Sequence, residues 1–420
     1  EIDFFRIAAP VVASAKHGHM FMRLPEPTAL QLAEAPLLPL GIRIIDGRAY
    51  VLRDFSSREH SLQGAELLSV NGSATQDLVA CLGESYSIDA GQLDARDRVI
   101  SGLNFNIGLI SLMSLGPPYR IVINQNGTKF TKVLNGIAHL EAQWRQQYPN
   151  DYEVRKRGEM RVEFPEKGIA LLRIPHWDYE EEKHSPSADL QKMMESIIDK
   201  KASALIIDIR DNGGGEEALG SQLLAYLMSE PFPYYKCTVF KEDHFPWLLY
   251  GVGESADYGK LLPEYIGPVD ENCRIYGNFA LKNRPNLGIQ QPRSPHFDGA
   301  VFVIVNAGGF STSVEFAAHV HSEHRGILIG QPPHGSYWSN DSGITPTIAL
   351  PNSGLLVDIP LIHYQHSLRN NVPIGSPVPI DRPVQLSIKS MIASDDPEMD
   401  LALQLARSAV KDFSFLLPKS

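Results

Sequence analysis

Cysteine is scarce in this sequence, and what there is lies far apart. Cys81, Cys237 and Cys273 are the only three in 420 residues. They are too few for a disulfide-dense scaffold, and no pair has the close spacing of a zinc site. One bridge is allowed, but three buried free thiols are the expectation. Long apolar runs are missing too. None approaches the roughly 20 residues that a bilayer-spanning helix needs, so no membrane span is expected. Positive charge is outnumbered: the net charge is −11, which excludes wrapping a nucleic acid backbone, a task for clustered Lys and Arg. No internal repeat or low-complexity tract occurs. No signal peptide is in view and the chain opens on Glu1; either a leader has been removed or the chain has been shortened.

What is present describes an ordinary globular protein, 43% apolar and 21% charged. A chain this long holds roughly two or three domains. "APVVASAKHGHMF" reads as a short helix with Pro10 in its first turn and Gly18 as its stop. "EPTALQLAEAP" is helix-prone. From about 38 to 135 short strands take over. "GIRIIDGRAYVLRDF" alternates around Asp-Gly as a hairpin does, and "YRIVINQNGTKFTKVL" does so around Asn-Gly. "AELLSVNGSATQDLVACL" reads as strand, turn and helix. The polar stretch 141–158 is the linker candidate.

Beyond 160 strands and helices alternate as in a layered α/β core. "GIALLRIPHW", "ALIIDIR", "AVFVIVN" and "GILIG" are strands. "ADLQKMMESIIDKK", "EEALGSQLLAYLMS" and "STSVEFAAHVHSEH" are helices. Residues 242–297, rich in Pro, Gly and aromatics, read as a long covering excursion. "GITPTIALPNSGLLVDIPLIHY" supplies a hairpin, and "DPEMDLALQLARSAV" a terminal helix.

Two strings carry the chemistry. In "ALIIDIRDNGGGEEAL" an apolar strand runs into Asn212 and three glycines, whose amides can face outward and hold a developing oxyanion. The plain alternative is a tight loop; the spacing is not the G-x-G-x-x-G of a dinucleotide site. In "VFVIVNAGGFSTSVEF" a second strand ends in a permissive turn before Ser311. Thr312 and Glu315 spell a capping box, so the local string alone favours a helix cap. A strand, a sharp turn and a helix also expose nucleophiles in hydrolases. If the two strands are neighbours, their tips share one edge of the sheet, where ligands bind in open α/β folds.

"LIIDIRDNGGG", then "VNAGGFSTSVEF", then "GILIGQPPHGSY" together resemble the tail-specific, or C-terminal processing, serine peptidases. Their superfamily includes the tricorn core peptidases and the retinoid-binding modules of photoreceptor matrix. "LPLGIRIIDGRAYVLRDFS" with "GAELLSVNG" resembles the PDZ-like domain of a bacterial branch, and "VVASAKHGHMF" that branch's N-terminal stretch. The resemblance implies an N-terminal helical segment over 1–36, a small β-rich PDZ-like domain over 37–140, and a crotonase-like α/β peptidase core over 141–420. It implies Ser311 as nucleophile and the amides of Gly214 and Thr312 as oxyanion donors, leaving Thr312 and Glu315 as the cap. It also implies a polypeptide substrate, no cofactor, and a periplasmic or secreted location.

The sequence departs from the family in one respect. Many members activate their Ser with a Lys about 25 residues downstream; here Ser336 stands at that place, and no Lys occurs between Lys282 and Lys389. The tricorn branch uses a His ahead of its PDZ-like domain, and His19 matches it, with His17 as an alternative. An imidazole near its ordinary pKa can serve as the base. Ser336 and Asn340 repeat the family's Lys and Gln spacing as site-lining candidates, or form a hydrophilic turn. No orienting Glu is assigned in "SLRNNVPIGSPVPID". His319, His321 and His324 do not share one helical face, so no metal is expected. Trp144, Trp177, Trp247 and Trp338 read as packing residues rather than a peptide groove. Two rivals remain: an inactive relative that binds peptides or small apolar ligands, and an acyl-thioester enzyme, which no nucleotide-pocket motif supports.

Overall fold

The apolar runs of the second half leave no polar face, so each strand must be covered on both sides. A six-stranded sheet meets this demand, in the order Arg382–Pro383, Ile327–Gly330, Ala300–Val305, Ala204–Asp208, Ile169–Arg173, Arg161–Glu166. All neighbours are parallel except the last pair. Side chains alternate across it. Leu205, Ile207, Val301 and Val303 pack with Leu190, Met194, Leu223 and Phe316 of three helices, Pro186–Asp199, Glu217–Leu227 and Thr312–Ser322. Ala204, Ile206, Phe302 and Ile304 face the terminal helix, Pro397–Leu416, through Met399, Ala402 and Ala406. Each fully buried Leu, Ile or Met contributes about 1.5–3 kcal/mol. This computed structural model describes residues 1–56, 61–148, 158–179, 181, 184–282, 284, 286–369 and 371–416.

Four further sheets among the described residues, one of them only the pair Phe232–Pro233 and Ile289–Gln290, complete a mixed α/β architecture. A five-stranded antiparallel sheet runs Ile266–Pro268, Phe279–Leu281, Tyr235–Phe240, Ile362–His366, Ser339–Ser342. The excursion 242–297 thus contributes two of its strands, as well as the helix Tyr258–Tyr265, rather than an irregular cover. In the first half, Leu40–Ile45, Arg48–Asp54, Glu66–Val70, Tyr119–Gln125 and Thr128–Leu134 form an antiparallel sheet around its own apolar core. Its hairpins turn at Asp46-Gly47 and Asn126-Gly127. The expected hairpin near 350 pairs Thr347–Ala349 with Leu356–Asp358, and Phe21–Arg23 adds a third strand.

Several expectations are corrected. The first helix spans Ile2–Ala13, so Pro10 lies inside it rather than in a first turn. The helix ends at Ala13, and Lys16 follows with φ of +53°, so Gly18 is not the stop but part of a later turn closed by Met20 N–H to the His17 carbonyl at 2.9 Å. The linker candidate begins as a helix, Leu140–Gln147, whose Trp144 is fully buried beside Phe55. Its residues 149–157 lie outside the described residues. Trp177 is also fully buried, while Trp338 donates from Nε1 to the Val372 carbonyl at 2.7 Å. No helix among the described residues is long and apolar enough to cross a membrane.

The expectation of three free thiols is overturned. Cys237 and Cys273 form a disulfide across a Cα separation of 5.7 Å, because the strand Tyr235–Phe240 runs beside the turn Glu271–Cys273. Cys81 alone is free. Alkylation of the denatured, unreduced chain should label Cys81 only, and reduction should raise the count to three by mass spectrometry. Three labels without reductant would contradict the bridge.

Candidate active site

The parallel strands Ala204–Asp208 and Ala300–Val305 are neighbours, so the two glycine-containing turns that follow them share one edge of the sheet. Two asparagines lace these turns together, Asn306 through its side chain and Asn212 through its backbone carbonyl. Asn212 donates from Nδ2 to the Ile174 carbonyl at 2.8 Å, and its own carbonyl accepts from Phe310 N–H and Ser313 Oγ, each at 2.9 Å. Asn306 Oδ1 accepts from the amides of Asp211 and Gly308 at 2.9 and 3.0 Å. The indole of Trp177 donates to Ser313 Oγ at 2.9 Å. Arg98, on the helix Leu93–Val99, pairs with Asp211 at 2.8 Å and ties the β-rich first half to the turn.

Ser311 sits at the start of the helix Thr312–Ser322 with φ of +55° and ψ of −121°. A non-glycine residue held there stores strain of order 1–3 kcal/mol. Its side chain caps nothing. The capping box expected from Thr312 and Glu315 does not form. Thr312 Oγ1 donates to the Gly215 carbonyl at 2.9 Å. The buried Glu315 carboxylate accepts from Tyr235 OH at 2.5 Å and Asn340 Nδ2 at 2.7 Å. The sequence signal was real, but side chains packed against this helix outcompete its backbone for the carboxylate.

The Ser311 hydroxyl is left between two partners. His19 Nε2 lies 3.1 Å from Oγ, across 292 positions of sequence, and Asn340 Nδ2 donates to it at 3.3 Å. With His19 neutral, the hydroxyl donates to the imidazole and accepts from the amide. His17, the alternative, faces away: its Nδ1 is 3.3 Å from Asp341. Ser336 stays within its own turn, where Oγ accepts from Trp338 N–H at 3.3 Å. His319 is buried in the core, stacked on Tyr234 at 4.2 Å, and His321 Nδ1 meets Tyr337 OH at 3.2 Å.

His19 is placed by its neighbours in the chain. Gly18 N–H donates to Asp89 Oδ1 at 2.7 Å, and a Cβ at Gly18 would lie 2.6 Å from the Phe310 ring. Phe310 is flanked by the imidazoles of His19 and His334, at 4.3 and 4.8 Å. Burial, then His334, pushes the His19 pKa down to about 4, against an opposing pull from Asp341. Asp341 Oδ1 is 2.8 Å from His363 Nδ1. Burial pushes the Asp341 carboxyl up, but the His363 bond and the charges of His363, His17 and His19 outweigh it and hold it below its ordinary value. Sequence reasoning missed Asp341, His363, His334 and Asp89, since none stands in a spaced motif with Ser311.

The candidate oxyanion donors flank Ser311 differently. The Thr312 amide has no acceptor among the described residues. The Gly214 amide donates to Asn212 Oδ1 at 2.9 Å. Gly214 has φ of +99°, and a Cβ there would lie 2.6 Å from Ser311 Cβ.

A strained serine after a parallel strand, with an imidazole against its hydroxyl, is an arrangement suited to acyl transfer. Residues 168–367 match the sequence model of peptidase family S41. The match covers just under half of the chain and supports a serine-type peptidase. It is similar in fold to mature CPAF, with 15% identity and a TM-score of 0.61 over 96% of this chain and 86% of that one. The structure of mature CPAF complexed with lactacystin gives 16%, 0.60, 97% and 88%. At such identity the likeness is one of fold. No curated protein matches the chain.

Gly214→Ala tests the contact directly. Strain and the methyl against Ser311 should cost about 1–3 kcal/mol of stability by denaturant titration. The folded variant should label with a fluorophosphonate at least about 100-fold more slowly, the scale of losing one oxyanion donor. Unchanged labelling would show that the methyl is accommodated.

Proposed function

We propose that this serine peptidase is an endopeptidase acting on extended or unfolded polypeptides, with Ser311 as nucleophile and His19 as its base. The observation that carries the reading is the 3.1 Å approach of His19 Nε2 to Ser311 Oγ. Ser311 Oγ attacks the scissile carbonyl while His19 takes its proton. The Thr312 amide, and the Gly214 amide once it leaves Asn212, hold the oxyanion. The imidazolium then protonates the leaving amine, and water enters by the same path in reverse to release the acyl group. Asn340 holds the hydroxyl oxygen so that its proton points at the imidazole. Asp341 supplies a buried negative charge that favours the imidazolium; it is a positioning residue acting through space.

The parallel core with its glycine turns supports a crotonase-like reading of residues 141–420. The separate sheet and core of the first half support a PDZ-like reading of 37–140, which would present peptide by strand addition. The segment 1–36 delivers the base. The Cys237–Cys273 bridge favours an oxidising compartment, so a periplasmic or secreted site is proposed.

Digestion of unfolded casein tests the reading. Ser311→Ala should lose activity on the order of a millionfold, together with fluorophosphonate labelling; equal cleavage by both chains would end it. The pH profile follows from His19. A base works deprotonated, so kcat/KM should hold from neutrality down to about pH 4 and fall below it, rather than near 6.5. Asp341→Asn should lower kcat about tenfold, one pKa unit of imidazolium stabilisation, and move that acid limb to lower pH. A merely structural role for Asp341 would leave the limb in place.

A further inference from the structure

A cavity of about 380 Å³ opens beside the catalytic edge, and the mechanism above does not use it. Its rim begins at Glu216 and Glu217, directly after the glycine turn that abuts Ser311. The far wall is Tyr364 and Ile362, on the strand paired with the one carrying Asn340, and Ile344 just beyond that strand. Leu262, from the helix Tyr258–Tyr265, and Leu281 close it from the excursion.

We propose that this cavity receives the side chain of the substrate residue whose carbonyl Ser311 attacks, and that it selects large apolar side chains, aromatic rings included. The proposal rests on the peptidase reading and adds a specificity to it. The attacked carbonyl lies against the glycine turn and the Thr312 amide, so the side chain one bond away reaches whatever adjoins that turn. His19 approaches the hydroxyl through a different element, the N-terminal segment, which leaves the cavity to the acyl half of the substrate.

The lining sets the class of side chain. Aliphatic and aromatic surfaces make up the larger share of the walls, and such surfaces reward apolar area. One charge pair stands in the lining beside a second carboxylate, Glu216. Arg284 pairs with Glu217 and donates to Tyr364 OH at 3.2 Å, and Glu216 accepts from Ala218 N–H at 3.3 Å. An incoming Asp or Glu side chain would face two carboxylates, and a charge of either sign carried past them would sit desolvated against the apolar walls. The space holds a ring, so Gly or Ala would leave most of it empty.

The test profiles the bonds cut in unfolded casein, and measures binding of two pentapeptides, Ala-Ala-Phe-Ala-Ala and penta-alanine, to the Ser311→Ala chain. Cuts should follow Phe, Tyr, Leu and Met about 100-fold more often than Gly or Ala, the scale of a filled against an empty apolar pocket. The Phe peptide should bind at least tenfold more tightly. Leu261→Trp, at an exposed lining position, should narrow the cavity and shift the cuts toward small residues. Ile344→Phe, entering from the opposite wall, should do the same. Cleavage with no size preference, or a preference that neither substitution moves, overturns the pocket and leaves the peptidase reading standing. No cleavage at all, with Phe-peptide binding that Leu261→Trp weakens, removes the chemistry and keeps the pocket.

Discussion

The arrangement depends on one long-range contact: a segment from the beginning of the chain is pinned onto a core completed more than three hundred residues later. Phe21–Arg23 pairs antiparallel with Leu356–Asp358, and Arg23 clasps Asp358 with bonds of 2.7 and 2.8 Å. Two residues before that strand stands His19, held by the Gly18–Asp89 bond and by the Phe310 ring. Without this strand the imidazole has no fixed address, because the loop it closes spans nearly the whole chain. The Arg23–Asp358 pair is half exposed at its Arg end, so it contributes modestly. The ladder and the packing at Gly18 set the position. Asp89 belongs to the β-rich half of the chain, so His19 is braced from that half while it meets Ser311 of the other.

The nucleophile's own geometry is bought by side-chain amides. Two adjacent parallel strands would not by themselves bring a glycine turn and a helix start to within van der Waals contact. Asn306, whose Oδ1 accepts from amides of both turns, and Asn212, whose side chain holds Ile174 and Gly214 while its backbone carbonyl accepts from Phe310 and Ser313, do so. Their burial is tolerable because nearly every polar atom finds a partner. The strained Ser311 conformation is sustained by the same lacing: Phe310 is fixed by its amide bond to Asn212 and Ser313 by its hydroxyl bond to the same carbonyl. The residue between them has little freedom left.

Much of this was legible in the sequence. The strand runs 204–208 and 300–305, their glycine-containing ends and the helix after Ser311 follow from apolar periodicity and turn chemistry, which are local. Less legible was whatever depends on tertiary partners. Pro10 looked like a helix start because a proline favours that place, yet apolar residues before it extend the helix back to Ile2. Glu315 looked like a cap because its spacing is right, but Tyr235 and Asn340 are brought to it by a different sheet. Cys237 and Cys273 gave no signal, since 36 residues of separation say nothing about adjacency. Trp144 was assigned to a linker by the polar residues around it, and only the hole left by Gly41 makes it core.

The electrostatics of the base then follow from where the fold puts it. Burial that lowers the His19 pKa from 6.5 to about 4 makes the imidazolium about 3 kcal/mol less favourable than in water. That keeps the base unprotonated at neutrality, but it also makes the proton transfer from serine harder. A carboxylate in direct contact would relieve the penalty and raise the resting pKa toward the working pH. Asp341 is instead set one residue further out, its oxygens shared with His17 and His363. The remaining compensation has to come from charge that exists only during reaction. In the proposed mechanism, an oxyanion held against the Thr312 amide, next to the imidazolium, supplies it. Such a base is therefore strengthened by the transition state it serves, which ties proton transfer to a correctly seated carbonyl rather than to any hydroxyl or water that wanders in.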